Sequence, residues 1–129
     1  MRKYKFKDYD YLRSALGGEG FTDNQMTFAL DETYITNKGF FSFGFAHGYP
    51  ILRHFYLNKE HRDKGMKNTI DLFREFESLV GKRGYTHFIG EVPKEKPRME
   101  ILFKRLGAEP YTELNGNKYY LVEVGGRRK

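Results

Sequence analysis

The stretch Leu57-Asn58-Lys59-Glu60-His61-Arg62-Asp63-Lys64-Gly65-Met66-Lys67 joins two segments with different hydrophobic periods. Before it, Ile51 to Leu57 reads as a strand. After it, Met66, Ile70, Phe73, Phe76, Leu79 and Val80 recur three or four apart, an amphipathic helix that Gly81 or Gly84 closes. A strand running straight into a helix sets the helix N-terminus, with its unpaired N–H groups and positive dipole end, at the end of the strand. Gly65 lets the backbone approach an anion closely, and Arg62 and Lys64 add charge-assisted donors. The junction is a candidate anion-binding turn; basic residues around a glycine also begin ordinary helices.

Working upstream, Phe40 to Ala46 is an aromatic-rich run, and His47-Gly48-Tyr49-Pro50 turns it back into Ile51 to Leu57 as a hairpin. Thr33 to Thr36 and Gln25 to Leu30 read as short strands, with Asn37-Lys38-Gly39 as a turn. Arg2 to Lys7 alternates in strand fashion, and Asp8 caps a helix through Tyr11, Leu12, Ala15 and Leu16 that Gly17-Gly18 ends. Downstream, Thr86 to Val92 is a strand. Pro97 suits the first turn of a helix with the apolar stripe Ile101, Leu102 and Leu106, ending at Gly107. Tyr111 to Leu114 and Lys118 to Val124 form a hairpin on Asn115-Gly116-Asn117. From Phe40 on the order is strand, strand, helix, strand, helix, strand, strand. A strand, helix, strand unit within one sheet needs a parallel right-handed crossover, so a mixed sheet with helices on its faces is expected.

At 129 residues the chain is expected to be one domain, residues 1–129, with one core. Apolar residues at 39% and aromatics at 17% supply that core despite 31% charge. No apolar run approaches the roughly 20 residues that span a bilayer, and the start resembles no signal peptide; no membrane association and a cytoplasmic location are expected. The absence of cysteine removes disulfides, thiolate metal sites and a cysteine acyl-enzyme. The net charge of +6 suits polyanions, nucleic acid among them, though no motif demands nucleic acid. Part of that charge lies in Arg127, Arg128 and Lys129 after Gly125-Gly126, expected as a flexible basic tail, 125–129.

The junction resembles the coenzyme A signature of the GCN5-related N-acetyltransferases (GNAT), where a strand runs into Arg or Gln, two residues, Gly, one residue, then Gly or Ala. Glu91-Val92 and Leu102-Phe103-Lys104-Arg105-Leu106-Gly107 are similar to that family's Glu-Val strand end and its helix ending in Leu-Tyr, three residues and Gly. The gapless spacing from Glu91 to Phe103 is similar to that of members acting on ribosomal-protein N-termini. The resemblance covers roughly residues 40 to 124, and more loosely the whole chain. It implies an α/β (α+β) fold: a mixed, mainly antiparallel sheet with a central parallel strand pair splayed at the cofactor site and helices on both faces. It implies direct acetyl transfer from acetyl-coenzyme A to a primary amine, on a small molecule, a protein N-terminus or a lysine. Leu57, Arg62, Asp63, Lys64, Gly65, Met66, Lys67, Lys96 and Phe103 would contact the coenzyme, and the backbone N–H of Leu57 or a neighbour would hold the oxyanion. The chain departs from the pattern at Lys67, where Gly or Ala is usual, at Lys96, in place of an Asn near the pantetheine arm, at Phe103, in place of the Tyr that protonates the leaving thiolate, and at Ala108, in place of an aromatic. A divergent member is implied, with a phage origin allowed. The alternative is a binding or structural protein on the same fold with coenzyme binding reduced or lost.

An amine attacking a thioester must lose a proton, and Glu91, at a strand end, is the candidate base; otherwise it is a surface carboxylate paired with Lys or Arg. His47, His54, His61 and His87 show no metal-ligand spacing and read as surface or hydrogen-bonded histidines, so no metal site is expected. Tyr56, Tyr111, Tyr119 and Tyr120 carry hydroxyls that could replace the missing acid, although strand tyrosines more often pack. Of Tyr119 and Tyr120 at most one can face a cleft, because successive strand residues point to opposite faces.

Overall fold

The computed structural model of the chain describes residues 1–62, 65–94 and 98–125. Pro97 and residues 126–129, expected as a helix start and a basic tail, lie outside the described residues. The elements are β1 (Arg2–Lys3), α1 (Tyr9–Gly18), β2 (Glu32–Ile35), β3 (Gly39–Ala46), β4 (Tyr49–Leu57), α2 (Lys67–Lys82), β5 (His87–Val92), α3 (Arg98–Arg105), β6 (Glu109–Leu114) and β7 (Asn117–Glu123). The strands form one mixed sheet in the order β1-β2-β3-β4-β5-β7-β6. β4 and β5 pair in parallel through Ile51↔Ile89 and Leu52↔Gly90, whereas β1–β2, β2–β3, β5–β7 and β6–β7 are antiparallel. The expected strand, helix, strand crossover is thus β4–α2–β5. The chain divides into two compact units, Met1–Gly44 with Arg53–Phe76, and Phe45–Leu52 with the segment from Glu77 on.

In the first unit the aromatic run of β3 is covered on both faces. Phe40 turns one way, into a cluster with Leu12 and Leu16 of α1, Phe28, Ile35 and Tyr56. Phe41 and Phe43 turn the other way, and both rings meet Phe76 of α2, at 5.4 and 5.5 Å between centroids. Phe40, Phe41 and Phe43 are each 0% exposed, so each contributes roughly 1.5–3 kcal/mol of burial. Two sequence expectations fail in this unit. The strand expected over Arg2 to Lys7 stops at Lys3, because Phe6–Asp8 winds into a 3₁₀ turn. There the Asp8 carboxylate accepts two bonds from the Arg2 guanidinium (2.8 and 2.7 Å) and one from the Lys5 N–H (2.9 Å). The strand expected over Gln25 to Leu30 is absent: Asp23–Gln25 is a 3₁₀ turn, and the Thr27 carbonyl accepts both the Leu30 and Asp31 N–H groups. Phe28 is buried in the core with Met26 packed against the same cluster, and Leu30 is 93% exposed.

In the second unit, β5 pairs with β7 along its full length, from His87↔Glu123 to Val92↔Lys118. The two expected hairpins form on shorter turns than the sequence reading gave, His47-Gly48 (φ 56 and 82) and Asn115-Gly116 (φ 55 and 85), with Tyr49, Pro50 and Asn117 already in strands and both residues of each turn in the left-handed region that such two-residue turns require. The α2 helix ends at Lys82, with Gly84 at φ 92 and the Tyr85 N–H returning to the Val80 carbonyl at 3.2 Å. The expected apolar stripe of α3 is corrected in one position: the buried residues are Leu102, Phe103 and Leu106, while Ile101 is 62% exposed.

Candidate functional site

The junction between β4 and α2 lies wholly in the first unit, and a set of side chains sews it down. The Asn58 N–H donates to the Lys38 carbonyl (2.8 Å), and the Tyr11 hydroxyl from α1 donates to Asn58 Oδ1 (2.6 Å). Asn68, in the first turn of α2, donates from Nδ2 to the His61 carbonyl (3.0 Å) and accepts from Lys38 Nζ (2.6 Å). Arg62 is the centre of this network. Its Nε donates to the Leu57 carbonyl (2.7 Å), its Nη1 reaches Glu19 Oε2 (3.3 Å), and its guanidinium carbon lies 4.8 Å from the Tyr56 ring centroid. Read from sequence as a phosphate ligand, Arg62 also ties the strand end to the residue that follows α1. The sequence offered no signal for this, since Glu19 is 43 positions away.

Gly65 has φ +66, and a methyl group built on it would meet nothing within 4 Å. Glycine is used here for its left-handed backbone, not because a neighbour crowds it. The α2 ladder begins with the Ile70 N–H on the Met66 carbonyl (2.9 Å), which makes the N–H groups just before it the helix's N-terminal donors. Met66 is 38% exposed. Lys67, where the GNAT pattern has a small residue, turns away along the helix: its side chain is 80% exposed and its ammonium is 3.1 Å from Asp71. Hydrogen bonds from Lys38 and then Lys67 hold the Asp71 carboxyl below the usual carboxylate range. Asp63, Lys64 and Lys96 lie outside the described residues.

The second unit carries Glu91 and Phe103 on opposite faces of β5. Gly90 shares its face with Phe88 and with Tyr120, its partner on β7, and the Phe103 ring of α3 packs there, 6.4 Å from the Phe88 ring and 6.3 Å from that of Tyr120. Phe103 is 1% exposed and occupies the space above Gly90. On that face the Tyr120 hydroxyl donates to Glu100, and this bond, with burial, pushes the phenol up to about 12. On the other face half-buried Glu91 stands directly across from Tyr119, whose hydroxyl donates to Glu91 Oε2 at 2.8 Å. The alternation of β7 had made Tyr119 and Tyr120 mutually exclusive; packing assigns Tyr120 to the core and Tyr119 to the carboxylate.

His54 in the first unit is 3% exposed, and its Nε2 accepts the Thr27 N–H at 3.1 Å, as expected of a hydrogen-bonded histidine. Burial, with Arg53 adding to it, pushes its imidazole down to about 4, so it is neutral at physiological pH and carries no proton there. Thr27 also donates from its hydroxyl to Asp31, and Arg53 Nε lies 3.7 Å from that carboxylate. Among the described residues no group of three or more His, Asp or Glu side chains is gathered to hold a metal, and no helix is long and apolar enough to cross a membrane.

No family model and no curated protein matches the sequence. Solved structures do. A Klebsiella pneumoniae subsp. pneumoniae protein provisionally named as an acyl-CoA N-acyltransferase superposes with a TM-score of 0.66 at 12% identity, over 95% of this chain and 94% of that one. A Bordetella pertussis protein, provisionally named as a GnaT-family acetyltransferase, aligns at 13% identity over 91% of this chain and 74% of its own, with a TM-score of 0.47. The near end-to-end match to the Klebsiella protein, at an identity that speaks for architecture alone, gives the chain a GNAT-like α/β fold.

Proposed function

We propose that the chain is an acyl-CoA-dependent N-acyltransferase that moves an acetyl group from acetyl-coenzyme A to a primary amine, working in the cytoplasm. The observation that carries this reading is the junction of β4 with α2: a tethered loop, Gly65 in an open left-handed conformation, and helix N-terminal donors directly after it. That arrangement suits the pyrophosphate of the coenzyme, cradled by the backbone of Arg62 to Lys67, with the charge of Lys64 inside the same stretch of sequence. The fold shared with a protein of acyl-CoA N-acyltransferase name supports the same class of donor. The amine nitrogen attacks the thioester carbon, Glu91 takes its proton, and the carbon–sulfur bond breaks to release the coenzyme thiolate. The acceptor is a small-molecule amine, a protein N-terminus or a lysine.

A second reading, a binding protein that has kept the fold and lost the chemistry, is favoured by Phe103, which has no proton to give and is buried against β5. Calorimetric titration with acetyl-coenzyme A separates the two. The enzyme reading expects saturable binding that falls at least tenfold, about 1.4 kcal/mol, in Gly65→Asp, which places a side chain and a negative charge at the cradle. Equal affinity in a folded Gly65→Asp protein rejects the pyrophosphate site, and no binding by the wild type favours the second reading.

A further inference from the structure

We infer that Tyr119 supplies the proton to the leaving thiolate and is recharged by Glu91, an assignment that rests on the acyltransferase reading above. Phe103 holds the sequence position at which the acid is expected, yet it has no hydroxyl, and its ring is sealed between Gly90, Phe88 and Tyr120. Tyr120 is taken up by Glu100 on that same face. Tyr119 is the hydroxyl that the β5–β7 register places beside the base: the two residues are direct cross-strand partners on the face opposite α3, both are half-buried, and the phenol oxygen is 2.8 Å from the carboxylate.

A phenol both donates and accepts, so the pair closes a proton circuit. As the amine nitrogen bonds to the acyl carbon and the carbon–sulfur bond breaks, the amine proton passes to Glu91. The thiolate takes the proton of the Tyr119 hydroxyl. The tyrosinate then recovers a proton from the Glu91 carboxyl across their shared hydrogen bond. The sum is one proton moved from nitrogen to sulfur, with both side chains returned to their starting forms and no other reactant consumed.

The test uses the full chain, with coenzyme affinity measured by calorimetry and turnover measured as thiol release from acetyl-coenzyme A with hydroxylamine as acceptor. Tyr119→Phe is expected to bind the coenzyme within about twofold of wild type and to lose about tenfold or more in kcat, with KM for acetyl-coenzyme A unchanged. Glu91→Gln loses at least as much. The double variant is expected to be no slower than the slower single variant by more than about threefold, because the two groups act on one proton path. A tyrosine that only ties β7 to β5 would instead lower the melting temperature and spare kcat. Wild-type kcat in Tyr119→Phe, or losses that multiply in the double variant, overturn the relay while leaving the acyltransferase reading intact. A wild type that neither binds acetyl-coenzyme A nor releases thiol overturns both.

Discussion

Adding one methyl group at Gly90 tests how β5 is packed against α3. A Cβ at this position would lie 2.4, 2.5 and 2.8 Å from Cζ, Cε2 and Cε1 of the Phe103 ring. Carbon atoms rest at roughly 3.5–4.0 Å, so the ring must retreat by about 1 Å. It has little room to do so, being 1% exposed with Phe88 and Tyr120 rings beside it. An alanine in a strand is otherwise worth about 0.5–1 kcal/mol over glycine, so overlap and backbone preference oppose each other. Overpacking of this kind costs about 1–3 kcal/mol and wins. Gly90→Ala is therefore expected to lose about 1–2 kcal/mol net, which at a urea slope of about 1–3 kcal/mol/M lowers the unfolding midpoint by roughly 1 M. With no tryptophan in the chain, circular dichroism is the suitable signal. Phe103→Leu, which replaces the ring with a smaller side chain, should cost stability alone but relieve the alanine, so the double variant should be more stable than the sum of the singles by about 1 kcal/mol. A Gly90→Ala protein as stable as wild type, or strict additivity with Phe103→Leu, would refute the packing argument.

Other outcomes follow from the same coordinates. Gly39→Ala should abolish folding, because its Cβ would fall 1.8 Å from the Tyr56 carbonyl oxygen, a backbone atom that cannot turn aside; a cooperative, near-native melt would contradict this. Arg62→Lys should destabilise by about 1–2 kcal/mol in urea titration, since an ammonium cannot reach the Leu57 carbonyl, bridge to Glu19 and cover Tyr56 together; an unchanged midpoint would count against the tether. His54 is held neutral with its folded value near 4, below the ordinary 6.5, so its contribution is whole above about pH 6.5 and is lost as pH falls toward 4. Over that window it amounts to about 3 kcal/mol, and His54→Gln should flatten the dependence of unfolding free energy on pH; an identical slope in the variant would exclude His54 as the cause.

Periodicity and turn chemistry decide only what neighbours along the chain decide. The change from period two to period three or four at Leu57 to Lys67 was enough for the β4–α2 junction, because helix and strand faces are local properties. Asn115-Gly116 and His47-Gly48 were enough for two hairpins, because the left-handed backbone those turns need admits few residues. Gln25 to Leu30 misled for the converse reason: its alternation was weak, and the Thr27 carbonyl closed a turn there with the N–H groups of Leu30 and Asp31. The candidate site divides along the same line. Gly65, Arg62 and Glu91 were nameable from spacing and resemblance, but their partners were not. That Arg62 reaches Glu19, that Phe103 covers Gly90 on the face away from Glu91, and that Tyr119 rather than Tyr120 meets that carboxylate depend on strand register and helix packing. Those contacts join residues from 13 to 43 positions apart, and only tertiary structure brings such distant side chains within hydrogen-bonding or van der Waals reach.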